Sequence, residues 1–312
     1  MDRKDHADSK PAQPGETPGL PANYFCNYSR GGVPLAVSWT ETQYQRLTEL
    51  NAGEEIRSLS FPGSAERDRA FLEYEKKLRA AAKERLEKLR KEHRRPLLCR
   101  LKSRLTEVLT GCGFVEVSTP LLLAKGLLEK MSITGAHPLY AQIYWVDRGK
   151  CLRPMLAPNL YYLLTDLLRI WEHPVRIFEI GSCFRKESQG AHHLSEFTML
   201  NLVEMGLPLE QCRTKMAEYA SLVMEAAGLN DYRLVSKASE VYGETTDIVA
   251  GGVELGSAAL GPHPLDENWG ITVPWVGIGF GLERMIQAAQ KSSSISSVGR
   301  SLSYLDGVRL NI

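Results

Sequence analysis

The chain has 312 residues, room for one large domain or two modest ones. Its 43% hydrophobic and 24% charged residues give the balance of a soluble globular protein, and a net charge of +1 excludes a partner read from total charge alone; any polyanion surface must come from local clustering. No apolar run reaches the length of a membrane span, the N-terminus MDRKDHADSK lacks the apolar core of a secretory signal, and six scattered cysteines without a C-x-x-C pair point to reduced, mostly buried thiols in a cytoplasm.

Residues 1–36 carry Pro11, Pro14, Pro18, Pro21 and Pro34 with few aliphatics. Such a composition cannot bury enough surface to offset the entropy of ordering, so a disordered tail is predicted. Order begins at WTETQYQRLTEL, where Thr40 and Gln43 fit a capping box and Trp39 and Tyr44 fit the accompanying hydrophobic staple. A short helix to about Leu50 follows, then a loop marked by Asn51, Gly53, Pro62 and Gly63. From Ser64, a plausible N-cap, to Arg95 the pattern is helical, with Phe71, Leu78, Leu86 and Leu89 as one narrow apolar stripe. Between Glu66 and Arg95 this helix holds 12 Lys/Arg against 7 Asp/Glu. Taken alone, the residues favour a solvated helix with i,i+4 ion pairs over a surface for phosphate backbones.

From Pro96 the texture changes. LLCRLKSRLTEVLTGCG reads as an amphipathic helix ending at Gly111 or Gly113. FVEVSTPLLL alternates like a strand and meets Pro120; QIYWVD, RIFEIGSCFR, EFTMLNLVEM, ELGSAAL and WVGIGFG are further strand candidates. Helices are predicted over 157–171, 208–227 and 280–290. Strands that cluster as hairpins between long helices predict an α+β fold with an antiparallel sheet, preceded by N-terminal helices.

Four stretches are candidates for chemistry. In Gly277-Ile278-Gly279-Phe280-Gly281-Leu282-Glu283-Arg284, glycines at alternate strand positions leave one face bare for a flat ring, and an Arg at a helix start favours phosphate. Leu282 in place of a third Gly excludes the dinucleotide fingerprint. Phe184-Arg185-Lys186-Glu187 is weak by itself, a charged hairpin end. His192 and His193 are adjacent and would point to opposite faces of a strand, which argues against shared metal ligation. Lys130-Met131-Ser132 lacks the second Lys and the H-I-G-H partner of the class I synthetase loop.

Helix–strand–Pro120, then F-R-x-E, then G-x-G-x-G-x-E-R resembles the three signatures of the class II aminoacyl-tRNA synthetases. The stretches CLRPMLAPNLY, FEIGSCFRKES, VYGET and PWVGIGFGLER narrow the likeness to members that handle a long acylated lysine. The resemblance implies a class II-type antiparallel sheet flanked by helices over 101–312, ATP and Mg²⁺ as cofactors, a tRNA partner, and a homodimer formed through the Pro120 region. It assigns Arg185, Glu187 and Arg284 to the chemistry. With His193, Leu194, Phe197, Met199, Glu254, Leu255, Ser257 and Gly281 they would bind ATP, and Glu254 and Ser257 would hold the metal. Ala157, Leu160, Tyr161, Leu164, Val203, Tyr242, Ser257, Ala259, Trp275 and Gly277 would line an acyl pocket. Asn201 would be its main polar wall. The likeness also turns the basic helix toward tRNA: residues 37–100 become a tRNA-binding region, contacted through Arg67, Arg69, Lys76, Lys77 and Lys83. The short Pro-rich tail leaves open a separate small tRNA-binding protein. A class II synthetase for phenylalanine or phosphoserine, and a non-catalytic tRNA-binding paralogue, are the competing readings.

Overall fold

The computed structural model describes residues 36–186, 194–239, 241–292 and 294–312; the Pro-rich tail, Glu187, His192 and His193 lie outside them. Strand β1 (Val37–Ser38) leads into α1 (Glu41–Glu49), and the capping box is present as expected: Thr40 Oγ1 accepts from the Gln43 amide while the Gln43 side chain accepts from the Thr40 amide. Trp39 is buried against Phe61, Phe71 and Tyr74, and Tyr44 is exposed.

After α2 (Glu54–Arg57) and β2 (Ser60–Phe61), helix α3 runs over Ser64–Lys88 and ends in a π turn at Leu89–His93. Ser64 is its first helical residue; the cap position belongs to Gly63. Helix α4 (Leu97–Gly111) buries Leu101, Leu105 and Leu109 on one face, as its periodicity demands.

Strands β3 (Val115–Glu116) and β4 (Leu122–Ala124) flank the Pro120 passage. Helices α5 (Lys125–Lys130) and α6 (Pro138–Ala141) precede β5 (Lys150–Leu152), which pairs with β4. QIYWVD is not a strand; only Trp145 makes an isolated bridge, to Cys151. Helix α7 (Ala157–Ile170), strands β6 (Val175–Phe184) and β7 (Glu196–Met205) and helix α8 (Cys212–Ala226) follow. Then come β8 (Arg233–Ser239), β9 (Gly243–Ala250), β10 (Val253–Gly261), β11 (Trp275–Gly281), α9 (Leu282–Gln290) and the small hairpin β12 (Tyr304–Leu305) and β13 (Val308–Arg309).

The principal sheet has seven strands in the order β3-β6-β7-β11-β10-β9-β8. All pairs are antiparallel except β3 with β6. The α+β expectation is therefore met, with one parallel edge strand added. One face packs against α4, α8 and α9 through Leu200, Leu202, Val276, Ile278 and Phe280. The other face carries Val203, Met205 and Trp275 toward α7. Alternation along β7 and β11 separates these two sets residue by residue. Among the described residues no helix is long and apolar enough to cross a membrane.

Candidate active site

Strand β11 lies centrally, between β7 and β10, and its glycines face away from the α8/α9 core. Register builds rows across the sheet: Gly279 sits between Asn201 and Ser257, and Ser257 is followed by Asp247 on β9. Gly277 sits between Val203 and Ala259. With no side chains at 277, 279 and 281 on the middle strand, a cavity of about 390 Å³ opens above the sheet. The glycines are needed for that space. A methyl at 279 would meet Asn201 Oδ1 at 2.8 Å, and a methyl at 256 would meet the Gly279 carbonyl at 2.6 Å.

One end of the cavity is apolar. Ala157, Leu160, Tyr161 and Leu164 of α7 form a wall, spaced as one helical face. Val203, Ala259, Trp275 and Tyr242 complete it, with Tyr242 set edge-on to Trp275 at 6.0 Å. Asn201 supplies an amide. Behind the wall sits Asp266, a buried carboxylate that the sequence reading missed. Tyr161 Oη donates to its Oδ1 at 3.1 Å and Trp275 Nε1 to its Oδ2 at 2.8 Å. Burial pushes both the Tyr161 and Tyr242 phenols up, so each is a neutral donor. The signal for Asp266 was its place three residues after His263, where it closes a capping box around Pro264.

The other end is charged. Arg185 donates from Nε to the Pro154 carbonyl at 2.9 Å, and its guanidinium lies 5.2 Å over the Phe197 ring. Arg284, in the first turn of α9, reaches the Glu254 carbonyl at 3.2 Å. Leu194, Met199, Leu255 and Gly281 line the same end. Glu254 and Ser257 are there too, joined by Asp247 and Lys237. Ser257 Oγ donates to Asp247 Oδ1 at 2.8 Å, and the Lys237 ammonium lies 3.2 Å from Asp247 Oδ2 and 3.4 Å from Glu254 Oε2. These two carboxylates hold the ammonium strongly enough to raise its pKa, the Asp247 hydrogen bond leading. Two carboxylates thus converge on one cation, with the Ser257 hydroxyl bonded to one of them, a set of hard oxygens that suits Mg²⁺.

Every described residue expected at the ATP and acyl sites therefore lines this one cavity. The tRNA candidates do not: Arg67, Arg69, Lys76, Lys77 and Lys83 lie on α3, apart from it. Arg69, Lys76 and Lys83 are exposed at seven-residue intervals, while Arg67 is half-buried against Asp68 at 2.8 Å.

The chain is similar to known proteins. The profile of the family described as tRNA synthetases class II core domain (F) matches residues 83–301. The crystal structure of the pyrrolysyl-tRNA synthetase from Desulfitobacterium hafniense superposes with a TM-score of 0.86 at 52% identity, covering 89% of this chain and 100% of that one. A structure of PylSc from the same organism gives 0.85 at 51% identity, over 91% and 99%. Among curated proteins, the O-phosphoserine–tRNA(Cys) ligase of Methanospirillum hungatei is 29% identical over 141 residues, 40% of this chain and 26% of that protein. The chain thus spans about a quarter of the length of that relative.

Proposed function

The chain belongs to the class II tRNA synthetases, and from that premise we propose that it is a pyrrolysine–tRNA ligase. The observation that carries the reading is the continuity of the cavity: an apolar pocket with one amide, Asn201, runs directly into a cationic end framed by Arg185 and Arg284. A long side chain ending in an apolar ring, attached through an amide, fits the first part. A triphosphate fits the second.

In the first step a carboxylate oxygen of the amino acid attacks the α-phosphorus of ATP; the bond to the bridging oxygen breaks and pyrophosphate leaves. Negative charge spreads over phosphoryl oxygens, so fixed cations matter more than an acid or base. Arg185 is assigned the α-phosphate and Arg284 the far end of the triphosphate, with Phe197 stacked on adenine. Leu194, Met199, Leu255 and Gly281 shape the adenine and ribose walls. Glu187 and His193 complete the set on the strength of the sequence pattern alone. Glu254, Ser257 and the added Asp247 would hold Mg²⁺, which supplies charge neutralisation on the phosphates when bound. In the second step the terminal ribose hydroxyl of the tRNA attacks the acyl carbon and AMP leaves. The exposed row Arg69, Lys76 and Lys83, with Lys77 beside it, is proposed to meet tRNA phosphates, and a cytoplasmic site of action follows from that substrate. A homodimer through the Pro120 region is supported by Val115, Leu121 and Leu122, which are 45%, 46% and 50% exposed there.

Phosphoserine is the reading that the curated relative would favour. It would need cations at the acyl end, and the walls there are apolar apart from Asn201 and the neutral phenols.

ATP–pyrophosphate exchange with a panel of amino acids tests the reading. Exchange is expected with pyrrolysine and simple ε-acyl-lysines. Exchange with a standard amino acid alone would overturn it. Asn201→Ala should lower kcat/KM for pyrrolysine by about 10- to 100-fold, since a buried amide partner is lost, and far less for a bulky aromatic substrate.

A further inference from the structure

Beyond the motif residues, one cation reaches the back of the charged end from a part of the chain that none of the motifs covers. After α9 the chain makes a short 3₁₀ turn at Ile295–Ser297 and crosses the end of β7. It is pressed close there, since a methyl on Gly299 would meet Leu194 Cδ1 at 2.6 Å. Arg300 follows. Its Nη1 donates to Thr198 Oγ1 at 3.0 Å and lies 3.6 Å from Glu283 Oε1, and its Nε lies 3.3 Å from Glu196 Oε1.

Thr198 and Glu283 are both buried and tie two elements together. The Thr198 amide donates to Oε2 and Oε1 of Glu283 at 2.8 and 3.0 Å, and the Thr198 hydroxyl donates to Oε1 at 2.8 Å. Thr198 stands between Phe197 and Met199 on β7, whose side chains face the cavity, and Glu283 precedes Arg284 on α9. The joint therefore sets the strand that carries one assigned nucleotide group against the helix that carries the other.

We propose that Arg300 is a positioning residue for the nucleotide: by bridging Glu196, Thr198 and Glu283 it fixes Phe197 relative to Arg284. This rests on reading the charged end as the ATP site. Arg300 acts through its neighbours, not through contact with the reacting atoms.

Charge gives the joint its chemistry. The Thr198 N–H, shared between both carboxylate oxygens, and the Thr198 hydroxyl favour the ionised form, because a protonated oxygen becomes a donor facing that N–H. Burial raises the Glu283 carboxyl, and the Thr198 hydrogen bonds and then Arg300 oppose that rise. Among the described residues Cys183 on β6 also feels Glu283; burial pushes its thiol up to about 12, so it stays neutral. Glu196, on β7, faces Arg300 rather than Glu283. Because the folded pKa is raised, ionisation is lost as pH falls through that value. Removing Arg300 moves it higher still, so the acid limb of activity must shift to higher pH.

The experiment compares wild type with R300K, R300Q and R300A in ATP–pyrophosphate exchange, and measures binding of a non-hydrolysable ATP analogue by calorimetry. R300A and R300Q should weaken nucleotide about 10-fold or more, the scale of a lost charge-assisted hydrogen bond, with the amino-acid KM within about 2-fold. R300K should restore part of the affinity, and the acid limb of R300Q should lie above that of wild type. Unchanged nucleotide affinity in R300A, or an equal loss for the amino acid, overturns the proposal. If R300A does not fold, the Lys and Gln variants decide: equal nucleotide affinity in the two overturns it as well. Arg185→Ala separates the two levels. If Arg185→Ala leaves nucleotide binding intact, the ATP-site reading itself fails; if Arg185→Ala weakens it and R300A does not, only the role of Arg300 fails.

Discussion

Gly279→Ala should damage the acyl pocket and spare the fold. The added methyl lies 2.8 Å from Asn201 Oδ1 and 3.4 Å from Met199 Cε. A relaxed C···O contact is about 3.3–3.6 Å, so the Asn201 oxygen must retreat by roughly 0.5–0.8 Å. That atom ends a side chain that can rotate, so the backbone need not move, and the melting temperature should hold within about 2 °C. The amide, however, leaves its place, and a displacement approaching 1 Å at a positioning group costs up to about 100-fold. The amino-acid KM should therefore rise at least about 10-fold with pyrrolysine, and the ATP KM by less than about 2-fold. Gly256→Ala is the contrast. Its methyl meets the Gly279 carbonyl at 2.6 Å and Phe280 Cδ1 at 2.7 Å, both fixed inside the sheet. It should cost about 1–3 kcal/mol of stability and several degrees of melting temperature. Gly281→Ala, whose nearest contact is Arg284 Cδ at 3.7 Å, should be near neutral for the fold. Pyrophosphate exchange and thermal melts read all three. A Gly279→Ala melting loss equal to that of Gly256→Ala, or an unchanged amino-acid KM, would refute the reasoning.

Arg153→Ala should destabilise by about 3–5 kcal/mol in urea unfolding, because it strands the buried Glu179 carboxylate, which Arg153 Nη1 meets at 2.7 Å. Replacing both partners by Met should recover most of that loss, and a double variant as unstable as the single would argue against it. Lys237→Ala should bind Mn²⁺ more tightly without ATP, by electron paramagnetic resonance, since the ammonium no longer competes for Asp247 and Glu254; equal or weaker affinity would speak against that cation site. Reversing Arg69, Lys76 and Lys83 to Glu should weaken tRNA binding and reduce its salt slope by about 0.7–0.9 for each phosphate no longer neutralised, whereas an unchanged slope would place tRNA elsewhere.

How much of this was legible depended on whether the signal was local. EFTMLNLVEM was readable as a strand and the resemblance supplied Phe197, Met199, Asn201 and Val203; strand alternation sets these on the cavity side, opposite Leu200 and Leu202. The Thr40 capping box spans three residues and was readable for the same reason. The β8–β9 hairpin was not, because β8 is an edge strand exposed along most of its length and carries no alternation to read. Lys237 and Asp247 were missed with it. QIYWVD had the composition of a strand but lacked a partner beyond Trp145, and composition does not report pairing. Asp266 looked like one polar residue in a turn; its importance lies in Trp275, nine residues on, and Tyr161, far back in the chain.

Three buried acids share a physical role. A cavity floored by glycines gains no orientation from its floor, and apolar walls alone specify contact but not angle. Direction must come from hydrogen bonds, and here it comes from buried carboxylates. Asp266 fixes the rings of Tyr161 and Trp275. Glu283 fixes β7 against α9. Glu179 holds the Thr119 amide and hydroxyl just before Pro120, with Arg153 as its counter-charge. Each has satisfied lone pairs, which is what makes an acid tolerable at such depth. The same arrangement explains the uneven reach of sequence reading. Motifs name the groups that touch substrate, whereas the acids that aim those groups stand outside the motif or, like Glu283, sit inside it looking like spacing.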